Sequence, residues 1–281
     1  MALTGKVAIV TGSGRGIGRA IAMRFAREHA RVVINDIGCS PNGIGQDPGV
    51  ADSVAAEIRA AGGQAIADHH DVGKRSEVEA LFRSAVEAFG RVDILVTNAG
   101  IVREGAIANI IDEDWEAQLR TLLDSTFLCT QQFARHIKGR GGPGRVLMVS
   151  SMLGLQGASQ VAAYCSAKGA IFGFGLTAAQ ELAELGITVN ILSPLAYTRL
   201  SAGLPLMDFP NAEQLMSPDF CGDVSAYLVS DAASHLTGQI IHVQGRQLSA
   251  FKIAMTDGVA PRNGDRWSPE EIGERWGEIV R

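Results

Sequence analysis

The sequence predicts an α/β fold: a doubly wound parallel sheet of seven strands with helices on both faces, then a C-terminal extension. Three observations predict it. Apolar runs of strand length alternate with helical patterns through most of the 281 residues, the order expected of βαβ units. A glycine-rich turn, Thr11-Gly12-Ser13-Gly14-Arg15-Gly16-Ile17-Gly18, joins the first apolar run to the first amphipathic one. An acidic residue, Asp36, closes the second apolar run eighteen residues past Gly18.

The elements follow in order. Strands are predicted at 7–10, 32–35, 65–67, 94–97, 146–149, 188–192 and 240–243, and right-handed crossovers place the intervening helices on both faces. The first helix is the amphipathic run 17–29. Residues 37–50, rich in glycine and proline, form a loop longer than the usual crossover connection. It either closes over a bound adenosine or is an exposed excursion. Helices are predicted at 74–89 and 112–138. The helix carrying Tyr164 is apolar almost all round (Ile171, Phe172, Phe174, Leu176, Ala178, Ala179, Leu182), so it is buried on more than one side. The segment 200–210 is apolar and broken by Pro205 and Pro210. In the tail, Ser268-Pro269-Glu270-Glu271 is a helix-start signature, with proline at the first position and a capping glutamate, so a helix is predicted at 269–280. Trp267, Ile272 and Trp276 could dock it on the body or on a neighbouring subunit. One domain is expected at 1–249 and the extension at 250–281, too short to be a domain.

Two stretches carry chemistry. Strand, glycine turn and helix form the context for binding a pyrophosphate: glycine allows the tight turn and a close backbone approach, and the helix N-terminus adds a favourable dipole. Asp36 can bind the adenosine ribose hydroxyls and repel a 2′-phosphate, which favours NAD over NADP. Arg15 keeps NADP open, or is simply a solvated loop arginine. The second stretch runs from Ser151 to Lys168. Tyr164 and Lys168 stand four apart, so on a helix they share one face. A lysine ammonium beside a phenol favours the phenolate and lowers the tyrosine pKa from about 10 towards working pH. Such a tyrosine can exchange a proton with a hydroxyl or carbonyl oxygen. Ser151, on a loop after an apolar strand, can hold the same oxygen.

Together these pieces resemble the short-chain dehydrogenase/reductase family. The match consists of Thr11-Gly12-x-x-x-Gly16-x-Gly18, Asp71-Val72, Asn98-Ala99-Gly100, Ser151, Tyr164-x-x-x-Lys168, and Pro194 with Thr198, in family order over roughly 6–243. The resemblance implies a Rossmann-type sheet and hydride transfer between NAD and a secondary alcohol or ketone. Tyr164 would be the general acid/base. Lys168 would lower its pKa and hold the nicotinamide ribose, and Ser151 would orient the substrate oxygen. Gly12, Arg15, Gly16, Ile17, Gly18 and Asp36 would belong to the cofactor site. Asp71 and Val72 would meet the adenine, although Asp71 could equally cap the following helix. Asn98, Ala99 and Gly100 would let the adenosine ribose lie close to the sheet, or form a plain strand-end turn. Thr198, after Pro194, would bond the nicotinamide carboxamide or a phosphate. The ending Asn35-Asp36-Ile37-Gly38 and the loop after it resemble hydroxyacyl-CoA dehydrogenase units of peroxisomal multifunctional enzymes and related bacterial dehydrogenases.

The chain departs from the family pattern in three places. Seven residues after Trp115 the family has an asparagine that helps hold a water linking the lysine to solvent; this position is Leu122. Leu195 replaces a glycine after Pro194, and Arg246 replaces the second of a glycine pair. The family also implies a mobile lid at 200–210. Its Leu204, Leu206, Met207 and Phe209, with Met152, Leu153 and Leu155, suggest a lipophilic substrate, unless they are ordinary core. Family members pair the helix after Tyr164 across a two-fold axis, which implies a homodimer or homotetramer. The alternative to a working dehydrogenase is a nucleotide-binding subunit with little catalysis that supports an active partner.

Composition narrows the remaining classes. The net charge of −5 without a Lys/Arg cluster speaks against a nucleic-acid partner. No apolar run reaches the length of a membrane span, and the N-terminus lacks a signal peptide. The four cysteines are scattered, as expected of reduced thiols in a cytoplasmic protein. His69 and His70 would point to opposite strand faces, and no metal site is expected.

Overall fold

In the computed structural model, which describes residues 2–262, 264 and 266–280, the first apolar run becomes strand β1 (Val7–Thr11), buried at every position. The chain continues through α1 (Gly16–Arg27), β2 (Arg31–Asn35), α2 (Gly49–Ala60), β3 (Gln64–Asp68), α3 (Arg75–Phe89) and β4 (Ile94–Thr97). Then come α4 (Asp112–Leu119), α5 (Ser125–Arg140), β5 (Gly144–Val149), α6 (Leu153–Gln156), α7 (Ala162–Glu181) and β6 (Ile187–Leu195). The last elements are α8 (Ala212–Leu215), α9 (Asp219–Leu228), β7 (Ile240–Gln244), β8 (Gln247–Ala250) and α10 (Pro269–Ile279). The sheet order is β3-β2-β1-β4-β5-β6-β7-β8, parallel from β3 through β7. Strand order reverses between β1 and β4, and the C-terminal ends of the parallel strands share one edge. Ligands of such sheets bind at that edge. Helices cover both faces, so the central strands read as unbroken apolar runs rather than alternating ones. Ile9, Val10, Ile94, Leu95, Val96 and Leu147 are all fully buried.

Among the described residues the sheet has eight strands where seven are expected. β8 pairs antiparallel with β7, with Val243 opposite Leu248. Gly245 makes the hairpin possible: its φ is +52°, the conformation glycine takes readily in tight turns. A Cβ there would lie 2.3 Å from the Leu215 carbonyl oxygen. β8 is exposed along its length, so it carries no apolar pattern to betray it. β6 also runs beyond the expected 192, because Pro194 and Leu195 continue the ladder beside Val243 and Gln244.

The expected single helix over 112–138 is interrupted. Residues Arg120–Asp124 form a π-helical turn between α4 and α5. There Ser125 Oγ donates to the Thr121 carbonyl at 2.6 Å and Thr126 Oγ1 to the Leu122 carbonyl at 2.8 Å. Hydroxyls bonding back to the preceding turn are a known cause of helix distortion.

The chain divides into two compact units, Met1–Ala250 and Phe251–Arg281. Within the second, Ser268 Oγ accepts the Glu271 N–H at 3.1 Å and Pro269 opens α10, as the sequence signature predicts. The Arg275 guanidinium lies 5.5 Å from the Trp267 ring centroid and donates to the Ala260 carbonyl at 2.6 Å.

Candidate active site

The glycine turn is held from below by Asn98. Its Nδ2 donates to the carbonyls of Thr11 (3.0 Å) and Gly12 (2.9 Å), while Thr11 Oγ1 accepts the Asn98 and Ala99 N–H groups. Asn98 thereby joins the ends of β1 and β4. Gly18 is required by this packing: a Cβ would come within 2.2 Å of the Gly12 carbonyl oxygen and 2.5 Å of Asn98 Nδ2. Gly12 and Gly16 both take positive φ. Among the described residues no side chain caps the α1 N-terminus, so its first N–H groups face the turn without a side-chain acceptor. An uncapped helix start above a glycine turn fits a dinucleotide's pyrophosphate. Asp36 faces the same turn; its carboxylate accepts the N–H of Gly14 at 2.9 Å and of Gly38 at 2.7 Å.

Asp71 turns its carboxylate to the Gly73 N–H, ahead of α3, and its own N–H donates to Glu77; among the described residues no side chain caps the α3 N-terminus. Val72 is buried. Gly100 packs under the π turn, where an added Cβ would lie 2.8 Å from Leu122 Cδ2. Leu122, 1% exposed, is thus a packing residue, and its carbonyl is engaged by Thr126. His69 turns to Asp52 and His70 to Asp68. Among the described residues no three His, Cys, Asp or Glu side chains gather as a metal site.

Ser151, Tyr164 and Lys168 come together at the end of β5. The approach depends on two glycines that the sequence reading passed over. A Cβ on Gly154 would lie 2.5 Å from the Gly169 nitrogen, so the short helix after Ser151 rests directly on the backbone of α7. Ser150 Oγ adds a 2.7 Å bond to the Lys168 carbonyl. Lys168 is buried, and its Nζ donates to the Val149 carbonyl at 2.7 Å, lying 5.8 Å from the Tyr164 ring centroid. Burial pulls the Lys168 pKa down to about 8.

The phenol behaves differently from the sequence expectation. Tyr164 keeps part of its surface open, yet desolvation is the largest influence on it and pushes its pKa above the ordinary 10. The hydrogen bond with Ser151 works in the opposite direction and is the smaller effect. The expected lowering by the ammonium does not appear: Lys168 is not among the influences on the phenol, and one of its three N–H groups is turned to the Val149 carbonyl.

Thr198 stands at the mouth of the site. A Cβ on Gly16 would meet Thr198 Cγ2 at 3.4 Å. Pro194 lies within β6, on the same edge. Beyond Thr198, the segment 200–210 exposes Leu200, Leu204, Leu206 and Phe209 and buries Met207. A surface hollow of about 320 Å³ lies beside it, lined by residues including Tyr197, Met207 and Phe209. Arg199, which sequence reasoning missed, reaches back from this segment to the Cys39 carbonyl.

The short chain dehydrogenase family model matches residues 6–201. The chain is 36% identical over 249 residues to a 3-oxoacyl-(acyl-carrier-protein) reductase of Synechocystis sp., covering 87% of this chain and 97% of that one. It is 33% identical to the hydroxyacyl-CoA dehydrogenase ChsB1 of Mycobacterium tuberculosis, covering 96% and 87%. It is 34% identical to the peroxisomal multifunctional enzyme A of Dictyostelium discoideum over 98% of its own length but only 60% of that protein's. The crystal structure of a short chain dehydrogenase from Mycobacterium avium superposes with a TM-score of 0.86 at 36% identity, covering 100% of this chain and 96% of that one. With the matched segment running from the first strand past Thr198 and the same sheet beneath it, the chain belongs to the short-chain dehydrogenase family and is an oxidoreductase of that type.

Proposed function

We propose that this protein is an NAD(H)-dependent dehydrogenase that interconverts a secondary alcohol and a ketone on a lipophilic substrate of the acyl-thioester or steroid-like class. The observation that carries the reading is the meeting of Ser151, Tyr164 and Lys168 on the sheet edge that also holds the glycine turn. Gly12, Arg15, Gly16, Ile17 and Gly18 would hold the pyrophosphate. Asp36 would hold the adenosine ribose, with Asp71, Val72, Asn98, Ala99 and Gly100 around the adenosine. Lys168, Pro194 and Thr198 would hold the nicotinamide half. When bound, the nicotinamide ring supplies or accepts the hydride at the carbinol carbon.

Ser151 hydrogen-bonds the substrate oxygen and fixes it beside Tyr164. In reduction the Tyr164 hydroxyl gives that oxygen its proton; in oxidation the phenolate takes it. A phenol held above its ordinary pKa suits the proton-donating direction at neutral pH. Asp36 supports NAD over NADP, because its charge would oppose a 2′-phosphate. The thioester reading is supported by what the Synechocystis and M. tuberculosis relatives are named for. The exposed leucines and Phe209 of 200–210 suit the acyl or ring portion.

The test is Tyr164→Phe. NADH binding, followed by fluorescence, should stay within about twofold, while turnover of hydroxyacyl thioesters, steroids or aryl alcohols should fall at least about 100-fold. Undiminished turnover in this variant would remove Tyr164 from the mechanism. A second reading, a nucleotide-binding subunit with weak catalysis, draws on Leu122 and on the engagement of its carbonyl by Thr126. NADH binding with no turnover on any of the three substrate classes would favour it.

A further inference from the structure

The loop after β2 does not stay beside β2. Its base is pinched shut, with the Asp47 N–H donating to the Ile37 carbonyl at 3.0 Å and an added Cβ on Gly38 falling 2.1 Å from the Asp47 carbonyl oxygen. Its far side is fastened beyond β4: the Val102 N–H donates to the Pro41 carbonyl at 3.0 Å, and Arg103 Nε to the Asn42 carbonyl at 2.7 Å. Since β1 lies between β2 and β4, the loop crosses the C-terminal end of β1, where the glycine turn sits. It is a strap over the switch point of the sheet.

At its near end two arginines from different parts of the chain share one acceptor. Arg15, from the glycine turn, and Arg199, from the start of the lid, each donate through Nη1 to the Cys39 carbonyl, at 3.3 and 2.9 Å. A carbonyl is a neutral acceptor, and each guanidinium has five N–H donors. Among the described residues neither makes an ion pair with a carboxylate within salt-bridge distance. Burial of its head group, and then the like charge of Arg15, lower the Arg199 pKa, against smaller raising effects of Cys39 and Asp36. Two guanidiniums held side by side with donors to spare, next to the uncapped start of α1, form a site for a doubly charged oxyanion.

We infer that Arg199, acting with Arg15, binds the diphosphate of the dinucleotide and so ties the lid to the strap across the cofactor. The inference rests on the dinucleotide reading above. The diphosphate is favoured over the 2′-phosphate of NADP because Thr198, the neighbour of Arg199, abuts Gly16 at the head of α1, and because Asp36 occupies the ribose end with a like charge. Arg199 touches neither Ser151, Tyr164 nor Lys168 among its hydrogen-bonding partners, so it acts in binding rather than in proton transfer.

The experiment compares wild type, Arg199→Gln, Arg199→Lys and Arg15→Gln by calorimetric titration with NADH, ADP-ribose, 2′-phospho-ADP-ribose and adenosine. Circular dichroism checks that each variant is folded, and Arg15→Gln tests the same site should Arg199→Gln fail to fold. Loss of one charge-assisted contact predicts about tenfold weaker binding of both NADH and ADP-ribose, with adenosine unchanged and Arg199→Lys in between. Equal weakening of adenosine would overturn the assignment, since the arginine would then only be organising the strap. Weakening confined to 2′-phospho-ADP-ribose would move the contact to the 2′-phosphate and overturn it too. Wild type that binds NADH while Arg199→Gln binds it equally well sinks this inference alone. Wild type that binds no NADH sinks the dinucleotide reading with it.

Discussion

Lys168 is a buried cation with one neutral acceptor, the Val149 carbonyl, and this has a measurable cost. Its pKa drops from 10.5 to about 8 on folding, so between those two values the unfolded chain binds more protons than the folded one. Stability from this group therefore rises as pH climbs through that window, and the penalty is fully present below it. The gap corresponds to about 3 kcal/mol, as an order of magnitude. Relative to Lys168→Met, wild type should gain on the order of 1 kcal/mol per pH unit from pH 8 to 10, read as urea midpoints of the two proteins at several pH values. A difference that stays flat across this range would mean that the folded-state lysine titrates near its ordinary 10.5, as a solvated ammonium does. Tyr164 moves the other way, above 10, so alcohol oxidation should speed up with rising pH more than ketone reduction does. Both residues were legible as a pair from their spacing on a helix. Their protonation was not legible, because it follows from how deeply the fold buries each group, and that burial is set by contacts from elsewhere in the chain.

At the scale of an element, the pair α6 and α7 sets where Ser151 can stand. Gly154→Val would place side-chain atoms against the backbone of Lys168 and Gly169, where even a single Cβ would be at 2.5–2.6 Å. Overpacking of that kind costs about 1–3 kcal/mol, and here it would also lift Ser151 from Tyr164, so melting temperature and turnover should fall together. Gly139→Ala in α5 is the contrast. A Cβ there meets nothing within 4 Å, so the change should stabilise the protein by up to about 1 kcal/mol and leave turnover alone. Thermal melts and initial rates of the two variants decide this. The sequence showed α7 through its apolar composition, but it could not show that two glycines far apart in the chain touch. The π turn was hidden for a similar reason: Arg120–Asp124 has the residues of an ordinary helix, and its Leu122 packs against Gly100 from another part of the chain.

For the whole molecule, the complete sheet lies in the unit Met1–Ala250. We expect a chain ending after Ala250 to unfold cooperatively and to bind NADH within about threefold of full length, because every proposed cofactor residue precedes that point. Circular dichroism melts and NADH titration test this, and a truncated chain that fails to fold would make the tail part of the domain. Sedimentation of both forms will show whether either is the homo-oligomer that the apolar surface of α7 suggests, where Phe174 meets the partly exposed Phe127 edge-on. Among the described residues no helix is long and apolar enough to cross a membrane.

The order of the seven parallel strands, the glycine turn, Asp36 at the end of β2 and the tyrosine–lysine pair are legible along the chain. Each of these is a local signal, written in periodicity, spacing or the conformational freedom of glycine within a few residues. The folded packing alone brings the 37–48 segment across the sheet edge, Arg15 and Arg199 to Cys39, and Lys168 to a strand carbonyl. Those are contacts between residues 19 to 160 positions apart, chosen by how the parallel strands stack, and no pattern along the chain encodes them.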